Sequence, residues 1–169
     1  MQTVRRTTFV AIALLATLVA AGCGGAIPSS QGGSATVKVA QSKLGRFLVD
    51  EQGHTLYLFQ KDESKESYCN GACASVWPPA EVDGSLAAAA GVSRTRLGTI
   101  VRDDGDRQLT YAGHPLYYYA GDASKPGETY GEGIDQFGAG WYVVSPSGKL
   151  VENGHEKSGG SNDGSGGGY

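Results

Sequence analysis

The chain is poor in the residues on which most redox and metal chemistry depends. Its 169 residues include three cysteines, three histidines and one methionine, and that methionine is Met1. Loss of Met1 with the leader described below excludes methionine ligation of haem or copper. No Cys-x-x-Cys-His run exists for covalent haem attachment either. Enzyme signatures are also missing: there is no Gly-x-Ser-x-Gly elbow, no phosphate-cradling glycine loop and no His-Glu-x-x-His. No apolar run reaches the ~20 residues of a membrane-spanning helix. No sustained 3.6-residue period marks a long helix, and the run Ala87–Ala90 allows no more than a turn or so. Basic charge is not in excess, with 14 Lys and Arg against 17 Asp and Glu. These absences predict a protein that is not an enzyme and carries no cofactor.

What is present starts at the N-terminus. Arg5 and Arg6 form a short basic region, followed by an apolar stretch from Phe9 to Ala21. At about 13 residues it has the length of a secretory leader and falls short of a bilayer span. Ala20-Ala21-Gly22 then sets small side chains directly before Cys23. Signal peptidases admit little else beside the bond they cut. A cysteine at the next position resembles the lipobox of bacterial lipoproteins, although the usual leucine three residues before it is Ala20 here. Residues 1–22 are therefore read as a signal peptide and Cys23 as the lipidation site. A thiol-linked diacylglycerol and an amide-linked acyl chain of the palmitate type would meet the two-anchor requirement for stable attachment. The expected location is extracytoplasmic, with the cell membrane of a bacterium as first partner.

Residues 1–22 hold two of the basic residues and no acidic one, which leaves 12 positive against 17 negative side chains. That balance excludes nucleic acid as a partner, since phosphate binding needs a basic surface. An envelope protein or a small ligand remains. Cys69 and Cys73 are left as a pair, and outside the cytoplasm a disulfide is expected of them. The rival readings are a metal site, which lacks a second cysteine pair, and a redox pair, which normally has Cys-x-x-Cys spacing. Residues 23–36 and 153–169 are rich in Gly and Ser and read as a flexible tether and a disordered tail, the latter including His155. Asp103, Asp104 and Asp106 surround Gly105 without the spacing of a calcium loop and read as a solvated turn.

Between tether and tail the chain repeats itself. Gly53-His54-Thr55-Leu56-Tyr57-Leu58-Phe59-Gln60-Lys61-Asp62-Glu63-Ser64-Lys65 aligns without gaps on residues 113–125, and seven of the 13 positions are identical. Alternating segments such as Thr55–Phe59, Gln108–Tyr111, Leu116–Tyr119 and Trp141–Val144, separated by Gly, Asp and Pro turns, predict strands. The expected fold is all-β, with antiparallel hairpins in a tandem duplication (residues 43–82 and 97–152) forming one domain over 37–152.

Tyr57-x-Phe59-x-x-Asp62 and Tyr117-x-Tyr119-x-x-Asp122 both fit Y-x-[FWY]-x-x-D. Together with the cysteine pair, Trp77-Pro78-Pro79 and the two Gly-His turns, they make residues 43–152 resemble the bacterial lipoproteins defined by that motif, a secreted repeat of unknown function. The resemblance implies location and repeat architecture, and no reaction. On a strand, Tyr57 and Phe59 face one side and Leu56 and Leu58 the other, and the second copy does the same. Two roles are open for the motif: packing, with tyrosine hydroxyls at the rim and Asp62 and Asp122 opening Asx-type turns, or a binding face of aromatics and carboxylates. His54 and His114 are weak metal candidates, each equally explained as a turn-end side chain. The principal expectation is a non-catalytic binding or interaction module. The alternative is an accessory of extracytoplasmic electron transfer that uses a cofactor, the cysteine pair or the tyrosine and tryptophan side chains.

Overall fold

The computed structural model describes residues 34–152 and 154–157. The expected signal peptide, Cys23, most of the tether and residues 158–169 lie outside the described residues. Alternation of β-branched residues at Thr36, Val37 and Val39 draws the chain into β1 (Ala35–Ser42), two residues inside the expected tether. It turns back through β2 (Gly45–Val49) and reaches β3 (Tyr57–Phe59). A short α1 (Ala72–Val76) follows the Cys69 region, and β4 (Leu86–Ala88) takes the place of the helical turn expected in the alanine run. The second half comprises β5 (Leu97–Val101), β6 (Arg107–Tyr111), β7 (His114–Pro115), β8 (Ile134–Gln136), β9 (Ala139–Val143) and β10 (Leu150–Glu152). A final strand, β11 (His155–Lys157), pairs antiparallel with β10, so ordered pairing runs beyond the expected end of the domain. The tail begins with Asn153 in composition, but a hairpin turn at Gly154 (φ 79°) returns His155, Glu156 and Lys157 to a strand edge.

The described residues form an all-β unit of small sheets, ordered β2-β1-β4, β3-β9-β8, β5-β6-β7 and β10-β11. Pairing is antiparallel except between β1 and β4, which run parallel. The β6–β7 hairpin turns on Ala112 (φ 52°) and Gly113 (φ 89°), the two left-handed residues that a tight two-residue hairpin demands.

Alternation along the strands separates two cores. Leu48, Leu56, Leu58, Leu109, Leu116 and Val144 fill one. Tyr57, Phe59, Tyr117, Trp77, Trp141 and Val143 fill the other, together with Cys69 and Cys73. Cys69 and Cys73 are disulfide-bonded, with Cα atoms 5.2 Å apart. So small a loop contributes about 2 kcal/mol through chain entropy, and its larger effect is to set where α1 and Trp77 begin.

The two copies are built into each other. Tyr57 N donates to Tyr117 O at 2.9 Å, and Tyr117 N donates back to Tyr57 O at 3.0 Å. Around this bridge each contact has a counterpart. Tyr57 faces Val143, two residues past Trp141, and Tyr117 faces Pro79, two residues past Trp77. Ala80 N bonds Leu116 O at 2.9 Å, and Val144 N bonds Leu56 O at 3.4 Å. Leu109 N bonds Ala80 O, and Leu48 N bonds Val144 O, both at 2.8 Å. The tryptophan-bearing segment of each copy thus completes the sheet of the other.

Candidate functional site

The motif residues sit at the centre of this exchange. Tyr57 OH donates to Asp122 Oδ2 at 2.7 Å, and Tyr117 OH donates to Asp62 Oδ2 at 2.6 Å. Each motif tyrosine therefore binds the motif aspartate of the other copy. Both tyrosines are fully buried, so their hydroxyls lie in the interior and not at the rim. The aspartates hold wider loops than Asx turns: Asp62 Oδ1 accepts from Tyr68 N at 2.7 Å and Asp122 Oδ1 from Tyr130 N at 2.9 Å, six and eight residues onward. Among the described residues, no fully buried side-chain nitrogen or oxygen lacks a partner, as burial of polar groups demands.

Arg102 extends the network on the first-copy side. Its guanidinium donates to Ser67 Oγ (2.8 Å), Gln108 Oε1 (2.7 Å), Cys69 O (2.7 Å) and Asn70 Oδ1 (2.9 Å). Ser67 Oγ lies 2.7 Å from Tyr117 OH, so the disulfide loop is tied to the Tyr117–Asp62 pair. Burial lifts Asp62 to about 6, against the pull of the Tyr117 hydroxyl, the Tyr68 amide and the Arg102 charge. Burial likewise raises Asp122, and the Tyr57 and Tyr117 hydroxyls hold their protons far above the phenol range.

The aromatic side chains form a four-ring stack across the exchange. Phe59 stacks on Trp141 (centroids 4.1 Å apart, planes 9°), Trp141 on Trp77 (4.0 Å, 6°) and Trp77 on Tyr119 (4.4 Å, 29°). Tyr57 stands edge-on to Trp77 at 5.5 Å and Tyr117 edge-on to Trp141 at 5.1 Å. Gly131 closes over the pair Tyr57 and Trp77 so tightly that a Cβ there would lie 2.9 Å from both rings. Of the motif aromatics, Tyr57, Phe59 and Tyr117 are core, and only Tyr119 is half-exposed.

Tyr119 opens onto a cleft of about 310 Å³, lined also by Asp50, His54, Pro78, Tyr118, Asp122 and Lys125. Here the two copies differ. Across the second turn His114 is paired with Tyr111, but across the first the position belongs to Asp50. Asp50 Oδ1 accepts from His54 N at 2.8 Å, and its Oδ2 accepts from His54 Nδ1 at 2.8 Å and from Tyr118 OH at 3.2 Å. A carboxylate accepting from Nδ1 leaves Nε2 for another partner. Burial lowers the pKa of His114. Among the described residues no group of three or more His, Cys, Asp or Glu side chains is placed to hold a metal ion. The sequence offered His54 as a candidate but not Asp50, which lies outside the repeated window. Arg102 and Glu132 gave no signal at all.

Residues 38–81 and 98–145 match the model of a protein family described as a secreted repeat of unknown function. The chain belongs to this family. As a secreted repeat it works outside the cytoplasm, and both matched segments carry one tyrosine–aspartate motif each. Among the described residues no helix is long and apolar enough to cross a membrane. No curated protein and no solved structure matches the chain.

Two outcomes follow from the secreted repeat's geometry. In double-mutant cycles Tyr57→Phe is expected to couple to Asp122→Asn by about 0.5–3 kcal/mol and to be nearly additive with Asp62→Asn. Denaturant unfolding reads this, and the reverse pattern would mean that the motifs pair within copies. The second concerns Glu132, which burial lifts to about 7 although it accepts from Val143 N at 2.8 Å. A folded-state value above the ordinary 4.5 stabilises fully at low pH and is lost as pH rises through about 7. Wild type should therefore gain Tm relative to Glu132→Gln between about pH 8 and about pH 5. A constant difference over that range would contradict the assignment.

Proposed function

We propose that this secreted repeat is a non-catalytic binding module that takes a small amphipathic ligand in the Asp50–His54–Tyr118 cleft, and that Cys23 carries lipid that tethers it to the membrane. The observation that supports the cleft is the break in the exchange. Nearly every contact around Tyr57 has a partner around Tyr117, yet only the first turn places a carboxylate against its histidine. Packing requires the shared contacts and does not require this difference.

The chemistry of the lining selects the ligand. Asp50 accepts three hydrogen bonds and Asp122 two, so both carboxylates are held by partners within the fold. Lys125 supplies a positive charge and His54 Nε2 a further polar group, while Tyr118, Tyr119 and Pro78 supply apolar surface. A cleft of this size and mixture suits a ring or short chain with an acidic or hydrogen-bond-accepting head. The lipid tether rests on Ala20-Ala21-Gly22-Cys23 following the apolar stretch.

NMR titration with benzoate, phenol and benzylamine tests the cleft, because the probes share a ring and differ in head charge. Benzoate should move amide signals at His54, Tyr118 and Lys125, benzylamine should not, and His54→Ala/Lys125→Ala should abolish the response. Shifts scattered over the surface, or none with any probe, would overturn the reading. In the native host, Cys23→Ala should move the protein from the membrane fraction to the soluble one; retention in the membrane would refute the tether.

A further inference from the structure

The aromatic stack has a polarity that packing does not ask for. At its inner end stands Phe59, 1% exposed, a ring that resists one-electron oxidation. At the equivalent position of the other copy stands Tyr119, half-exposed at the cleft, a ring that is oxidised readily. Between them lie two parallel indoles whose centroids are 4.0 Å apart. Both indoles touch a buried phenol edge-on, and each phenol donates a short hydrogen bond to a carboxylate.

A buried phenol is difficult to oxidise by itself, because the radical cation left behind is a strong acid with nowhere to send its proton in a low-dielectric interior. A carboxylate within hydrogen-bond distance removes that obstacle. Asp62 reaches only about 6 despite its burial, so at neutral pH it is ionised and able to accept. Phenylalanine at both positions would fill the same volume, but it would supply neither the cross-copy bond nor a path for the proton.

We propose that Tyr119, Trp77 and Trp141 form a one-electron relay that carries oxidising equivalents from the cleft to the buried Tyr57–Asp122 and Tyr117–Asp62 pairs. The oxidant is a one-electron acceptor at the cleft, of the class of peroxide-derived radicals or oxidised metal complexes. It gains one electron, the phenol O–H bond breaks, and the proton forms an O–H bond on the facing aspartate. The products are the reduced oxidant, a neutral tyrosyl radical and a protonated carboxyl group. This relay is independent of which small molecule the cleft binds.

The test uses the full chain in detergent with photogenerated tris(bipyridine)ruthenium(III) as oxidant and freeze-quench electron paramagnetic resonance as readout. Tyr68 and Tyr130 are exposed (41% and 64%), Tyr118 donates to Asp50 at the cleft, and the chain also carries Tyr142 and Tyr169, so all five are changed to phenylalanine in the background. A long-lived neutral tyrosyl signal is expected, and in Tyr57→Phe/Tyr117→Phe it should decay at least several-fold faster, because Tyr119 at the cleft is then the relay phenol left to carry the radical. Tyr119→Phe removes one hydroxyl from a side chain at the cleft and leaves both buried pairs intact, so it guards against a double variant that fails to fold. It should keep Tm and slow the appearance of the signal several-fold. An unchanged rate in Tyr119→Phe, or a tyrosyl signal whose lifetime is unchanged by loss of both buried phenols, would overturn the relay.

Discussion

Everything in this fold depends on the reciprocal bond between Tyr57 and Tyr117. Their backbones pair with each other, and their hydroxyls cross to the opposite aspartates. Buried carboxylates are costly to desolvate, and a phenol aimed at one oxygen with an amide aimed at the other offsets that cost only when both copies are in register. The arrangement therefore converts a local motif into a long-range constraint. A slip of one residue would turn Tyr57 and Tyr117 toward the leucine core and leave both aspartates without their phenols. The disulfide and Arg102 add to the constraint by holding Ser67 and Trp77 at the edge of the same network.

Much of this was legible in the sequence. The constant offset between the copies announced the duplication, and the alternation in Leu56-Tyr57-Leu58-Phe59 foretold which side chains share a face. The two faces are indeed the two cores. What the sequence could not disclose is whose partner each residue is. Identical motifs say that Tyr57 and Tyr117 have similar surroundings, and a tyrosine bonded to its own aspartate would leave the same trace as one bonded to its neighbour's. The depth of the hydroxyls was missed for the same reason: the rim of one copy is the interior of the pair. Short elements were hidden as well. The run Ala87–Ala90 allows a turn or so of helix, and only the parallel pairing of Leu86–Ala88 with Ala35–Val37 makes a strand there.

The cleft was partly legible. His54 stood out because the motif carries it, yet its partner Asp50 belongs to a turn that the second copy replaces with a shorter one. Comparison of the two copies draws attention to what they share, whereas here the informative residues are the ones that differ. Phe59 against Tyr119, Asp50 against Tyr111 and Leu58 against Tyr118 are among the differences that set the two copies apart around the cleft.

The exchange of tryptophan segments also bears on ancestry. In a two-fold symmetric dimer every contact from one subunit to the other is returned, which is the pattern that Tyr57, Tyr117, Trp77 and Trp141 display within one chain. A polypeptide with a single motif would lack both the partner strand and the carboxylate that its tyrosine needs, and would fold only against a second molecule of itself. The stretch from Asp83 to Arg96 then reads as the join that fused two such subunits. Two halves held in one chain need not stay identical, and the differences between Asp50 and Tyr111 and between Phe59 and Tyr119 are of a kind that two copies of one subunit could not show.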